Sequence, residues 1–81
     1  MITIPAYTCE ASMSVSTEVW THERHLVDAA MEVYIRTQIA REFPDRQIDT
    51  IELQRAGGRE DFMNPAFTDA EYRYRVTFTE H

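Results

Sequence analysis

Two stretches of strict two-residue alternation, separated by one long helical run, constrain this chain more than anything else in it. Tyr7, Cys9, Ala11, Met13 and Val15 alternate with Thr8, Glu10, Ser12, Ser14 and Ser16. Tyr72, Tyr74, Val76 and Phe78 alternate with Arg73, Arg75, Thr77 and Thr79. Successive side chains of a strand point to opposite faces, so each stretch predicts a strand with one apolar and one polar face. Sheets with one wet face are antiparallel as a rule, and their dry face needs a cover.

The cover is a helix predicted over about residues 21–43. Thr21 can cap it with Glu23 in the first turn, and Pro44 disfavours helical geometry in the residue before it. Leu26, Ala29, Ala30, Val33, Thr37 and Ala40 share one face, with Val27 and Tyr34 on its flank, and the small residues predict close packing on the sheet. Gln47–Gln54 reads as a second strand with Ile51 and Leu53 inward. Gly57-Gly58 then predicts a two-residue hairpin turn, because glycine accepts positive φ. In that register Leu53 faces Phe62 and Arg55 faces Glu60, and Asn64-Pro65 stops a short return strand. Ile2 and Ile4 are candidates to extend the first strand, with Pro5 at a bend or edge. The expected fold is α+β, ordered β-α-β-β or, with the hairpin, β-α-β-β-β. It is a three- to four-stranded, mostly antiparallel sheet with one long helix on one face, residues 1–81 forming a single domain.

The chain has 81 residues, 43% hydrophobic and 27% charged, which suits one globular domain with a modest core. Its net charge of −6 repels phosphate, so direct nucleic-acid binding and attraction to an anionic membrane are not expected. One cysteine excludes an internal disulfide, and no apolar run is long enough to span a bilayer. The first residues lack a basic segment and an apolar signal core, so a cytoplasmic location is expected. All eight basic residues are Arg, a bias that suggests a GC-rich bacterial or phage genome.

Chemistry-bearing patterns are sparse. His22 and His25 are three apart, close enough for one helical face, but a third and fourth ligand are missing, so no metal is expected. Cys9 lies on the apolar face of the first strand without a visible base and reads as a small buried hydrophobe. Gly57-Gly58 lacks the remaining spacing of a phosphate loop. Arg73 and Arg75 read as solvated charges on the outer sheet face. The fourteen acids form no acid–base pattern. No catalytic residue, metal or cofactor is assigned, and the chain is expected not to be an enzyme.

Two surfaces stand out instead. A second helical stripe, Met31, Ile35, Ile39 and Phe43, is spaced by four and lies beside Asp28, Glu32 and Glu42. A curling sheet can take part of it into the core; otherwise it is a partner or dimer surface, expected to be partly exposed in a monomer and covered by a second chain. The segment 59–69 mixes acids, Asp61 among them, with Phe62, Met63 and Phe67. It reads either as a cap on the open end of the core or as a contact loop.

In size, charge and lack of a catalytic motif, the chain resembles the small acidic inhibitors of phages and mobile elements, anti-CRISPR proteins among them. The resemblance implies a non-enzymatic protein that works in a bacterial host cell by occupying a host protein's nucleic-acid-handling surface. The expected partner-binding residues are Asp28, Glu32, Met31, Ile35, Ile39, Phe43, Asp61, Phe62 and Phe67. A basic groove that holds phosphates would also accept carboxylates on a rigid support. Two alternatives stand beside this reading. One is a homodimeric ligand-binding domain or accessory enzyme subunit paired through the helix stripe. The other is a small phage structural or assembly protein.

Overall fold

The alternating stretches form strands as expected. The computed structural model describes residues 6–79: β1 (Tyr7–Ser16), α1 (Thr17–His22), α2 (Arg24–Glu42), β2 (Ile48–Glu60) and β3 (Phe67–Phe78). Ile2, Ile4 and Pro5 lie outside the described residues. The strands make one open antiparallel sheet in the order β1-β3-β2, and the chain is α+β with the order β-α-β-β. β3 is the central strand and alternates without a fault. Thr68, Ala70, Tyr72, Tyr74, Val76 and Phe78 are buried under the helices, while Asp69, Glu71, Arg73 and Arg75 face water.

The helix departs from its expected course at its start. It opens at Thr17 rather than Thr21, breaks at Glu23 (φ −132°, ψ 44°) and resumes at Arg24. No side chain caps either start. Tertiary bonds hold the first turn instead: the Thr17 amide donates to Ala66 O (2.8 Å), and the Thr17 hydroxyl donates to Pro65 O (2.8 Å).

α2 is turned round relative to the sequence reading. Val27, Met31, Ile35 and Ile39 are the buried residues of α2, none more than 3% exposed. Leu26 is 51% and Val33 65% exposed, and Ala29, Ala30, Thr37 and Ala40 are exposed with them. Size decides this. Burying a Val, Ile or Met side chain contributes about 1.5–3 kcal/mol, in proportion to area, and a face of mostly Ala and Thr has less area to offer. The expected partner stripe Met31, Ile35 and Ile39 is therefore core. Phe43 is half-buried against its edge, at 5.2 Å from the Tyr7 ring and 5.5 Å from Phe78, both edge-on.

The glycine hairpin does not form. β2 runs straight through Gly57 and Gly58, which pair with Glu71 and Ala70 of β3, and neither glycine has positive φ. Leu53 lies opposite Tyr74 and Arg55 opposite Arg73, so the expected pairs with Phe62 and Glu60 are absent. The ring of Trp20 explains Gly58. A Cβ at Gly58 would stand 2.5 Å from Trp20 Cε2 and Nε1, whereas one at Gly57 would meet nothing within 4 Å. Trp20 fills the space above the small pair Gly58 and Ala70. It meets Tyr72 edge-on at 6.2 Å and carries the Arg24 guanidinium 3.3 Å from its ring centroid.

The radius of gyration is 14.8 Å. A compact chain of this length would have one of about 12 Å. The long strands draw the molecule out to 50 Å, and the helices cover the sheet unevenly. β3 is buried along its inner face, the inner residues of β1 are half-buried, and Leu53 and Ala56 of β2 stay exposed.

Candidate functional site

The fold satisfies its buried polar groups and several of its exposed ones. Among the described residues no buried side-chain polar atom lacks a partner. Asp28 accepts a hydrogen bond from the Tyr72 hydroxyl, Glu42 from Tyr7 (3.2 Å), and Glu32 pairs with Arg36 (3.2 Å). The helix acids expected to meet a basic partner thus sit on the flanks of α2 with intramolecular partners. On the outer sheet face, Glu10 accepts from Arg73 Nε (2.8 Å) and Nη2 (2.6 Å), so Arg73 is engaged as well.

Burial first, and the Asp28 hydrogen bond second, push the Tyr72 phenol well above its ordinary range. Burial and the nearby Asp28 and Glu32 carboxylates raise Tyr74 to about 12. Burial, with Glu42 nearby, also raises the Cys9 thiol, the opposite of what activates a nucleophile. The break at Glu23 separates His22 from His25, so the two no longer share one continuous helix. No cluster of three or more His, Cys, Asp or Glu with metal-binding geometry occurs among the described residues. Among them, too, no helix is long and apolar enough to cross a membrane.

The most exposed large apolar side chains lie at one end, in the connection between β2 and β3. Asp61 N donates to Phe67 O (2.9 Å), and Phe67 N donates to Asn64 O (3.0 Å). Asp61 Oδ1 accepts from the amides of Met63 (2.9 Å) and Asn64 (3.3 Å), and Asn64 Oδ1 accepts from Ala66 N (3.3 Å). Thr17 holds the far side of the loop through Pro65 O and Ala66 O. A side-chain oxygen that bonds amides two and three residues on fixes a turn without help from a core. On this pinned loop Phe62 is 96% exposed and Met63 85% exposed, with Phe67 44% exposed beside them. The aromatics do not cap the core; its end is closed by Trp20 and Thr68.

The structure therefore brings together Asp61, Phe62 and Phe67 of the expected contact residues, and adds Met63. Asp28, Glu32, Met31, Ile35, Ile39 and Phe43 stay with the core and its rim. Glu18, Glu60, Asp61 and Asp69 stand at the loop end of the sheet beside Arg59 and Arg24, so this end is acidic on balance. Comparison with protein-family models, with curated proteins and with solved structures finds no match.

Proposed function

We propose that this chain is a non-enzymatic protein-binding module whose contact surface is the loop 61–67. The observation that carries the reading is the exposure of Phe62 and Met63 on a loop pinned by hydrogen bonds at both ends. Large apolar side chains in water forgo their burial energy, and a loop already held in one conformation loses little entropy when it docks. Aromatic and Met side chains are typical anchors of protein interfaces. The surrounding Glu18, Glu60, Asp61 and Asp69 select a partner with an apolar pocket and a basic rim. A nucleic-acid-handling protein has such rims, and an acidic plug seated in one would exclude phosphate. This is the action of the phage and mobile-element inhibitors that the chain resembles, and the support for it is the loop's exposure and charge.

The test is capture from a bacterial lysate on immobilised wild-type protein and on a Phe62→Ser/Met63→Ser double variant, with unchanged circular dichroism as the control. A basic protein should be held by the wild type and released from the variant. Loss of two anchors at about 2 kcal/mol or more each weakens binding by well over tenfold. Retention should fall as salt rises, since exposed charges are screened beyond about 8 Å at physiological ionic strength. A protein held equally by both forms would place the contact elsewhere and reject the loop.

A further inference from the structure

The open edge of β1 carries a second surface, independent of the loop. Thr17 N donates to Ala66 O, the residue directly opposite it in the β1–β3 register. In an antiparallel ladder such directly bonded pairs occur at every second residue. Val15, Met13, Ala11, Cys9 and Tyr7 therefore turn their amides and carbonyls toward β3. Thr8, Glu10, Ser12 and Ser14 turn theirs away from the sheet, as Ser16 does its amide, its carbonyl being taken by the first turn of α1. β3 is the only strand that β1 pairs with among the described residues.

The two edges of the sheet differ in how they treat this hazard. β2 is interrupted by register shifts between Ile48 and Thr50 and between Leu53 and Arg55, and it carries Arg55 and Arg59. Bulges and long cations are the usual protection of an edge. β1 has no register shift, no proline, no Lys or Arg, and one charged residue, Glu10, already engaged by Arg73.

We infer that β1 pairs antiparallel with β1 of a second copy about a two-fold axis at Ser12, giving a continuous six-stranded sheet with both α2 helices on one face. Three observations favour a second copy over an unrelated strand. The Ser12 axis sets each outward-turned residue against another: Glu10 meets Ser14, Ser12 meets itself and Thr8 meets Ser16 through the Ser16 amide, with no like charges opposed. On the inner face it sets Cys9 against Val15 and Ala11 against Met13, all half-buried in the single chain. The groove between β1 and α2, walled by Tyr34, Gln38 and Glu42 on the helix side, opens at this same edge. The two-fold would close it with the matching helix flank of the other copy.

Sedimentation velocity across a concentration series tests this with the whole chain. Ser12→Pro deletes an amide that points away from β3, so the β1–β3 ladder keeps all its bonds. Ser12→Lys places two ammonium groups together at the axis, yet within one chain it gains Glu71 as its cross-strand neighbour. The expected result is a dimer for wild type and monomers for both variants, with unchanged circular dichroism. Should Ser12→Pro fail to fold, Ser12→Lys decides alone. A wild type that stays monomeric throughout overturns the inference, and so does a dimer that survives Ser12→Lys. A dimer lost instead on Val33→Glu, on the outer face of α2, also overturns it. Phe62→Ser/Met63→Ser should leave the dimer intact, so failure of the loop reading and failure of this one are told apart.

Discussion

The two faces of α2 carry similar numbers of apolar residues and have opposite fates. Val27, Met31, Ile35 and Ile39 lie against Tyr72, Tyr74 and Val76 in the core, while Leu26, Ala29, Ala30, Val33 and Ala40 face outward. Which face a helix buries is set by summed area and by shape against the sheet, and counting apolar positions does not reveal it. Thr37 fits the outward face: its hydroxyl donates to Val33 O (2.9 Å), satisfied within the helix itself.

Three experiments can break or sharpen that contrast. The largest effect is expected from alkali, because the fold holds the phenols under α2 neutral while those of the unfolded chain ionise at high pH. Tyr74 is raised to about 12 in the folded protein, and Tyr72 is raised as well, each from an ordinary value of 10.0. The folded values exceed the unfolded one, so this contribution to stability is complete below pH 10 and is lost as pH rises toward 12. Urea midpoints should be flat up to about pH 10 and drop beyond it. Tyr74→Phe should lessen the drop, and an unchanged midpoint at pH 11.5 would deny that the phenols are enclosed.

Next in size is a pair of truncations on opposite faces. Ile35→Ala should cost about 2–5 kcal/mol by leaving a cavity, and Val33→Ala should stay within about 0.5 kcal/mol. Equal losses in chemical denaturation would mean that the outer face is covered too, as in an assembly that buries it.

The smallest effect concerns the adjacent glycines beneath Trp20. Gly58→Ala must displace the indole and should cost about 1–3 kcal/mol, the range for overpacking. Gly57→Ala has open space and no positive φ, so it should be neutral or stabilise by about 0.4–1 kcal/mol. Thermal melts of the two variants should therefore diverge in sign or clearly in size.

β1 and β3 were legible because alternation is a local signal that the sheet preserves. β1 spans Tyr7–Ser16, the alternating stretch itself, and β3 extends the Tyr72–Phe78 alternation back to Phe67. The helix was legible as an element, since Pro44 and the apolar spacing need no tertiary knowledge. Its rotation was not, because two stripes competed and only the contour of the sheet chooses between them. The glycine pair misled for a related reason. Gly-Gly signals a turn from local conformational freedom, whereas Gly58 answers a ring 38 residues away in sequence. Trp20 opposite two small residues was the available clue, and it becomes visible only once Gly58 and Ala70 are known to be neighbours. Of the contact residues, Phe62 and Phe67 could be singled out by composition, but the Asp61 bonds that hold them open depend on loop geometry.

The position of β3 has a consequence for how the chain reaches this state. β3 lies between β1 and β2 in the sheet but follows both in sequence, and its pairing with β1 joins residues as far apart as Tyr7 and Val76. During synthesis on a ribosome, β1 and the helices emerge with no strand to hydrogen-bond to, and β2 has none until the next dozen residues arrive. The sheet then assembles from its middle outward, around the strand made last of the three. Such distant pairings slow folding relative to a chain built from local contacts. During that interval β1 is bare along both edges, and a nascent chain is at its most vulnerable to the wrong neighbour.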